Sequence, residues 1–111
     1  MEELKVSVKV ILSSNDKNNQ GSFGPGIAYL LEGIKETGSL NQATKNMNMA
    51  YSKAWTIIKE SEEMLGYKLI ERYPGSKGSK LTKKGEDILN LYYEIKNEIM
   101  LAANDVLEKY K

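Results

Sequence analysis

Residues 38–66, GSLNQATKNMNMAYSKAWTIIKESEEMLG, decide the fold. Ser39 is a good N-cap, and Gln42 three positions later completes a capping-box pattern, so a helix begins here and runs to about Asn46. Met47, Asn48 and Met49 make the turn. Asn48 suits it because Asn tolerates the left-handed backbone that bulkier residues resist. A second helix runs from about Ala50 to Leu65 and stops at Gly66, a common C-terminal signal. The stretch therefore predicts two short helices joined by a tight turn.

At about 100° per residue, the second helix divides cleanly. Ala54, Ile57, Ile58, Ser61, Met64 and Leu65 share one arc, with Trp55 at its edge, and Ser52, Lys53, Thr56, Lys59, Glu60 and Glu63 lie opposite. The outward residues of its first two turns, Ser52, Lys53, Thr56 and Lys59, are short or basic and all donate hydrogen bonds. No acid precedes Glu60. A helix entering the major groove needs such a leading end. On this stretch alone, an ordinary amphipathic helix with a solvated polar face reads the same way. The flanks separate the two.

The 111 residues, 41% hydrophobic and 28% charged, fit one soluble domain spanning 1–111. No apolar run approaches the roughly 18 residues of a membrane span. The opening MEELKVSVKV has acids first and alternates, unlike a signal peptide, so a cytoplasmic protein with no membrane partner is expected. The lack of cysteine excludes disulfides and thiolate metal sites. The lack of histidine removes the usual general base, the Ser-His-Asp arrangement and nearly all zinc sites. Carboxylates are scattered over helix surfaces without the facing pair that carboxylate chemistry requires. Neither an enzyme, nor a metal, nor a cofactor is expected.

Net charge is only +1, but its distribution is uneven. Ser39 to Lys84 carries nine Lys/Arg against four acids, net +5, and the rest of the chain is net −4. The basic part coincides with the helix pair and the stretch after it, the footprint of a phosphate-binding face.

Upstream, Leu4, Val6, Val8, Val10 and Leu12 alternate with Lys5, Ser7 and Lys9, predicting a half-buried strand over Leu4–Leu12. Ser13 to Ser22 is polar and turn-rich and reads as a loop. Gly24-Pro25-Gly26 opens a helix whose core stripe is Ile27, Leu30, Leu31 and Ile34 and whose end is Thr37-Gly38. It reads as scaffold behind the helix pair.

Downstream, a short strand is predicted over Lys68–Tyr73, a turn over Pro74–Ser79, and a returning strand over Lys80–Thr82. A hairpin directly after a helix pair is a wing. Its Gly/Ser-rich tip lets the backbone approach DNA, while Lys77 and Lys80 reach phosphates or the minor groove. A plain surface hairpin is the alternative, and the preceding basic helix pair favours the wing. GSKGSK is no nucleotide-binding P-loop, lacking both the spacing and the strand-to-helix context. Thr82 N-caps a last helix running from Lys83 to about Lys109, with Glu86 and Asp87 in its early turns. Ile88, Tyr92, Ile95, Ile99, Ala102 and Val106 alternate by four and three, a coiled-coil seam widened by Leu89, Leu91, Met100, Leu101, Ala103 and Leu107. So much apolar surface exceeds what one small domain covers and implies a homodimer through this helix, the first strand assisting. A helix folded back on its own domain is the alternative. Two recognition helices about a two-fold axis would read half-sites about 34 Å apart, or a multiple of that.

Residues Gly24–Gly85 resemble the N-terminal DNA-binding domain of the ModE molybdate-responsive regulators, whose winged helix resembles that of LysR-type regulators. The resemblance rests on LLEGIKETGSL (Leu30–Leu40), MAYSKAW (Met49–Trp55) and LTKKGEDIL (Leu81–Leu89), with the Gly-Ser-Lys wing between. Two departures stand out. The family's serine before the tyrosine is Ala50, which removes a natural cap, and its usual Leu-Gly turn is Met47-Asn48. The resemblance implies sequence-specific DNA binding and dimerisation. Family members carry C-terminal molybdate-binding domains after the long helix, whereas this chain stops at Lys111, so molybdate sensing is not carried over.

The expected architecture is therefore mainly α with small β. It is a winged helix-turn-helix with an N-terminal strand (strand, helix pair and wing in 1–84) and a long C-terminal dimerisation helix in 85–111. The expected function is a transcriptional regulator binding double-stranded DNA as a homodimer on a pseudo-palindrome. Ser52, Lys53 and Thr56 would meet base edges, and Lys59, Lys77, Lys80 and Lys83 would hold phosphates; for Tyr51 the wheel points towards the core, while its place at the helix start would bring its hydroxyl to a phosphate. The alternative is a winged helix that binds protein, for which Glu60, Glu62, Glu63 and Ala50 leave room. No residue set points to a small-molecule effector.

Overall fold

A computed structural model describes residues 3–74 and 78–111. Its elements run β1 (Leu12–Ser13), β2 (Ser22–Phe23), α1 (Pro25–Thr37), α2 (Leu40–Asn46), α3 (Tyr51–Leu65), β3 (Ile70–Arg72), β4 (Ser79–Leu81) and α4 (Lys83–Glu108). The strands form two antiparallel pairs, β1 with β2 and β3 with β4.

Local chemistry starts and stops the helices. Pro25 sits in the first turn of α1, and Gly38 ends it at φ 72°, its N–H donating to the Ile34 carbonyl at 2.7 Å. Ser39 caps α2, its hydroxyl oxygen accepting from the Gln42 N–H at 3.1 Å. The expected capping box is only half made. The Gln42 side chain turns away and donates to Asn46 at 3.0 Å, a partner four residues on along the same exposed helix face. Asn48 takes the left-handed conformation at φ 53°, and Met49 N–H donates to the Thr44 carbonyl at 2.9 Å, closing the turn. Ala50 supplies no side-chain cap to α3, the consequence anticipated from losing a serine there. Gly66 ends α3 at φ 81°.

The core lies between α1 and everything that packs on it. Ile27, Ala28, Leu30, Leu31 and Ile34 are buried, and α2, α3, β4 and α4 all pack against α1. Ala43, Ala54, Ile58, Leu69 and Tyr92 complete the centre, with the Phe23 and Tyr92 rings 5.7 Å apart. Burying each large apolar side chain contributes about 1.5–3 kcal/mol, so this layer fixes the helix pair in place.

The N-terminal segment keeps its alternation, with Val6 and Val8 half-buried and Val10 buried while Lys5, Ser7 and Lys9 are exposed. The strand proper is shorter than expected. Among the described residues of this segment only Leu12 and Ser13 are in a ladder, opposite Phe23 and Ser22, because their partner β2 offers just two residues. The wing strands pair Ile70 with Leu81, Glu71 with Lys80 and Arg72 with Ser79. The wing is docked main chain to main chain: Ser79 N–H donates to the Gly38 carbonyl at 2.8 Å. A Cβ at Gly78, whose φ is 107°, would be driven into that same carbonyl oxygen.

Thr82 ties the wing to α4. Its hydroxyl oxygen accepts from Gly85 N–H at 2.9 Å and donates to the Lys68 carbonyl at 2.7 Å. In α4, Gly85, Ile88, Leu89 and Tyr92 are buried against the domain. Beyond them, Ile99, Leu101 and Val106 are exposed. Of the two readings of the long helix, folding back describes it as far as Ile95, which with Tyr93 still packs on the core, and the stretch from Ile99 onward is mostly exposed. The radius of gyration, 16.2 Å, exceeds the roughly 13 Å of a compact chain of this length, and the longest dimension is 56 Å. No helix among the described residues is long and apolar enough to cross a membrane.

Candidate nucleic-acid interface

The orientation of α3 is set from behind. Ala54, Ile58 and Ser61 are fully buried, and the Ser61 hydroxyl donates to the Ser22 carbonyl. With that face pinned, Ser52, Lys53, Thr56 and Lys59 are all exposed on the opposite side, as the helical spacing predicts. Helix α4 packs on α1 and β4 and leaves this face open. The Thr56 hydroxyl donates to the Ser52 carbonyl at 3.1 Å, so outward it offers an acceptor oxygen and a methyl group. The Lys59 ammonium lies 5.5 Å from the Trp55 ring centroid, held by the aromatic face.

Tyr51 neither enters the core nor stands alone. It is exposed and packs edge-on to Trp55, with centroids 6.3 Å apart. Its hydroxyl accepts a hydrogen bond of 2.7 Å from the Arg72 guanidinium. Arg72 also lies 5.2 Å from the Trp55 ring. Arg72 is a basic residue of this face that the sequence reading did not single out. It was counted in the basic segment, but no local periodicity joins β3 to a helix 21 residues earlier. The available signal was the Tyr51/Trp55 pair, one helical turn apart at the edge of the apolar arc, an aromatic surface that suits a cation.

The remaining basic residues are distributed along the wing and beyond. Lys80 lies 5.5 Å from the Tyr73 ring and 3.5 Å from Glu71 across the hairpin. Lys83 pairs with Asp87 at 2.7 Å, and the hydrogen bond and charge of Asp87 raise its pKa. Its charge is therefore partly offset at the start of α4. Lys77 lies outside the described residues. Glu62, read as a free acid on the helix surface, is buried. Its carboxylate accepts the Leu69 N–H at 2.8 Å and lies 3.6 Å from Lys68, where it holds the chain as it enters the wing.

A helix-turn-helix followed by a docked hairpin is now in place. The family profile described as bacterial regulatory helix-turn-helix protein, lysR family, matches residues 28–86, from α1 to the first turn of α4. The chain belongs to that family. Among individual relatives, this lysR-family chain is 35% identical over 81 residues to the DNA-binding transcriptional dual regulator ModE of Escherichia coli K12, covering 70% of this chain and 30% of that one. It is 38% identical over 71 residues to the transcriptional regulator ModE of Haemophilus influenzae, covering 61% and 28%. The chain thus spans under a third of the length of the curated relatives it matches. The expectation of a ModE-like, LysR-type winged helix is borne out. The same fold appears in the crystal structure of ArgP from Mycobacterium tuberculosis, which superposes with a TM-score of 0.55 at 22% identity over 78% of this chain and 31% of that one.

Proposed function

We propose that this chain is a transcriptional regulator that binds duplex DNA sequence-specifically as a homodimer. The observation that carries the proposal is the open leading face of α3. Ser52, Lys53, Thr56 and Lys59 stand exposed in a helix whose other side is locked into the core. In this reading α3 enters the major groove. Ser52, Lys53 and Thr56 meet base edges, Lys59 meets a phosphate, and the Tyr51 hydroxyl, which keeps its own proton to donate, meets another. The wing, with Lys80 and with Lys77, which lies outside the described residues, runs along the backbone or minor groove, and Lys83 adds a further phosphate contact from the start of α4. The commitment of Glu62 to the wing root weakens the alternative of a protein-binding module, because one of the acids that suggested it is structural.

The dimer is proposed through the outer half of α4. The 26 residues of α4 make a rod about 39 Å long. Its seam continues past the domain through Ile99, Ala102 and Val106, all exposed, flanked by exposed Leu101. A second copy packed antiparallel or parallel along this stripe covers it and sets two α3 helices on one face of the duplex. We assign the protein to the cytoplasm, where its target is. Fluorescence anisotropy on a labelled duplex, titrated with salt, tests the proposal. Binding that weakens steeply with salt is expected. Failure to bind any duplex at low salt rejects it.

A further inference from the structure

Between the first turn of α3, the α1–α2 corner and the root of the wing lies an open cleft of about 460 Å³. Its polar lining is Thr37, Ser39, Asn41, Tyr51, Arg72 and Ser79, and Arg72 is the one charged side chain among the described residues that line it. A guanidinium carries five donors in a planar fork. Of these, one is used among the described residues, from Nη2 to the Tyr51 hydroxyl. No carboxylate among the described residues forms an ion pair with Arg72, and its neighbour Glu71 is directed to Lys80 instead. Trp55 at 5.2 Å and Tyr51 at 2.7 Å together restrain a side chain that would otherwise sample many rotamers. A restrained, unpaired guanidinium facing a cleft of hydroxyls and an amide matches the planar, two-oxygen edge of a phosphodiester.

We propose that this cleft seats one backbone phosphate of the DNA in each half-site, with Arg72 as the contacting residue and Tyr51 and Trp55 as positioning residues. The proposal rests on the DNA-binding reading above and adds a site to it. Arg72 is joined to the first turn of α3 by Tyr51 and Trp55, and its strand partner Ser79 bonds the α1–α2 corner. The seated phosphate therefore fixes the register of the whole reading head on the duplex. Tyr51 acts both through its own hydroxyl and by aiming the fork. Its removal lowers affinity although no charge is lost.

The test compares the wild-type chain with Arg72→Gln, Arg72→Lys and Tyr51→Phe by anisotropy on a selected duplex over a range of salt. Folding of each is checked by circular dichroism. Arg72→Gln is expected to lower affinity roughly tenfold or more and to reduce the slope of log K against log salt by about 0.9 per seated phosphate. Arg72→Lys and Tyr51→Phe are expected to lower affinity while keeping the slope. A second arm replaces single phosphates with uncharged methylphosphonates. One position per half-site is expected to weaken the wild type and to leave Arg72→Gln indifferent, a coupling that a merely structural role would not produce. Trp55 is the sole tryptophan, so its emission reports the site directly. It is expected to change on adding duplex but not on adding inorganic phosphate at matched ionic strength. A saturable change with phosphate alone overturns the DNA assignment in favour of a free-anion site. Wild-type binding with an unchanged slope in Arg72→Gln, or no coupled methylphosphonate position, overturns the seat while leaving DNA binding intact. Should Arg72→Gln fail to fold, the methylphosphonate coupling measured with the uncharged Arg72→Met decides. Absence of wild-type binding removes both proposals together.

Discussion

In the proposed reading, Lys53 is the residue on which recognition of bases would depend most. It is exposed in the first turn of α3, and no described acid forms an ion pair with it. Lys53→Ala is expected to weaken binding to a selected duplex by about 1–3 kcal/mol and to relax preference at one base position. Equal loss on selected and random duplexes, measured by mobility shift, reassigns it to a phosphate. Tyr93 makes a different kind of test. Burial, followed by its hydrogen bond to Glu32, raises its pKa well above the ordinary phenol value. The unfolded chain therefore releases this proton first. The stabilisation is complete below about pH 10 and is lost as pH climbs towards the folded pKa. Denaturant unfolding at about pH 8 and again above about pH 10 is expected to show a smaller loss of stability for Tyr93→Phe than for wild type, with a residual slope from Tyr67 and Tyr92, whose pKa values burial also raises. Equal losses contradict the role given to the Glu32 bond. Neither Tyr93–Glu32 nor Arg72–Tyr51 was legible in the sequence. They join residues 61 and 21 positions apart and exist only once separate elements have docked.

At the level of elements, the chain announces itself well where the signal is local. Caps, turn residues and helical spacing sit within a few positions of one another, so Ser39, Asn48, Gly66 and Thr82 fall where they were expected. The first strand shows the limit of such reasoning. Alternation predicts which side chains face inward, and Val6, Val8 and Val10 do, but a ladder also needs a neighbour, and β2 is only two residues long. The surface acids show a second limit, since Glu62 is next to exposed Glu63 in the chain, and only the wing entering at Leu69 decides that it is buried. For α4 the spacing is informative along its whole length, while the occupant of its outer stripe is not. Ile99→Glu changes a residue that is 41% exposed, so the single-chain fold is expected to be retained. Sedimentation is expected to show conversion to a monomer, with binding reduced to single half-sites. A dimer unaffected by this change contradicts the assignment of the interface to α4.

In the whole molecule, one rigid head and one long rod divide the work. The head joins α3 to the wing through Arg72, and the wing to the α1–α2 corner through Ser79 and Gly38, so that in the proposed complex reading and backbone contact would move together. The rod begins in the core at Ile88 and leaves it past Ile95, so in the proposed dimer the packing of two rods would set the spacing of two heads. The lysR-family match covers the head and ends in the first turn of α4. The central claim is that two such heads read one inverted repeat. Selection of tightly bound duplexes from a random library tests it most directly. The expected result is enrichment of a pseudo-palindrome whose half-site centres lie about 34 Å apart, or a multiple of that spacing. Recovery of no preferred sequence from the bound pool contradicts it.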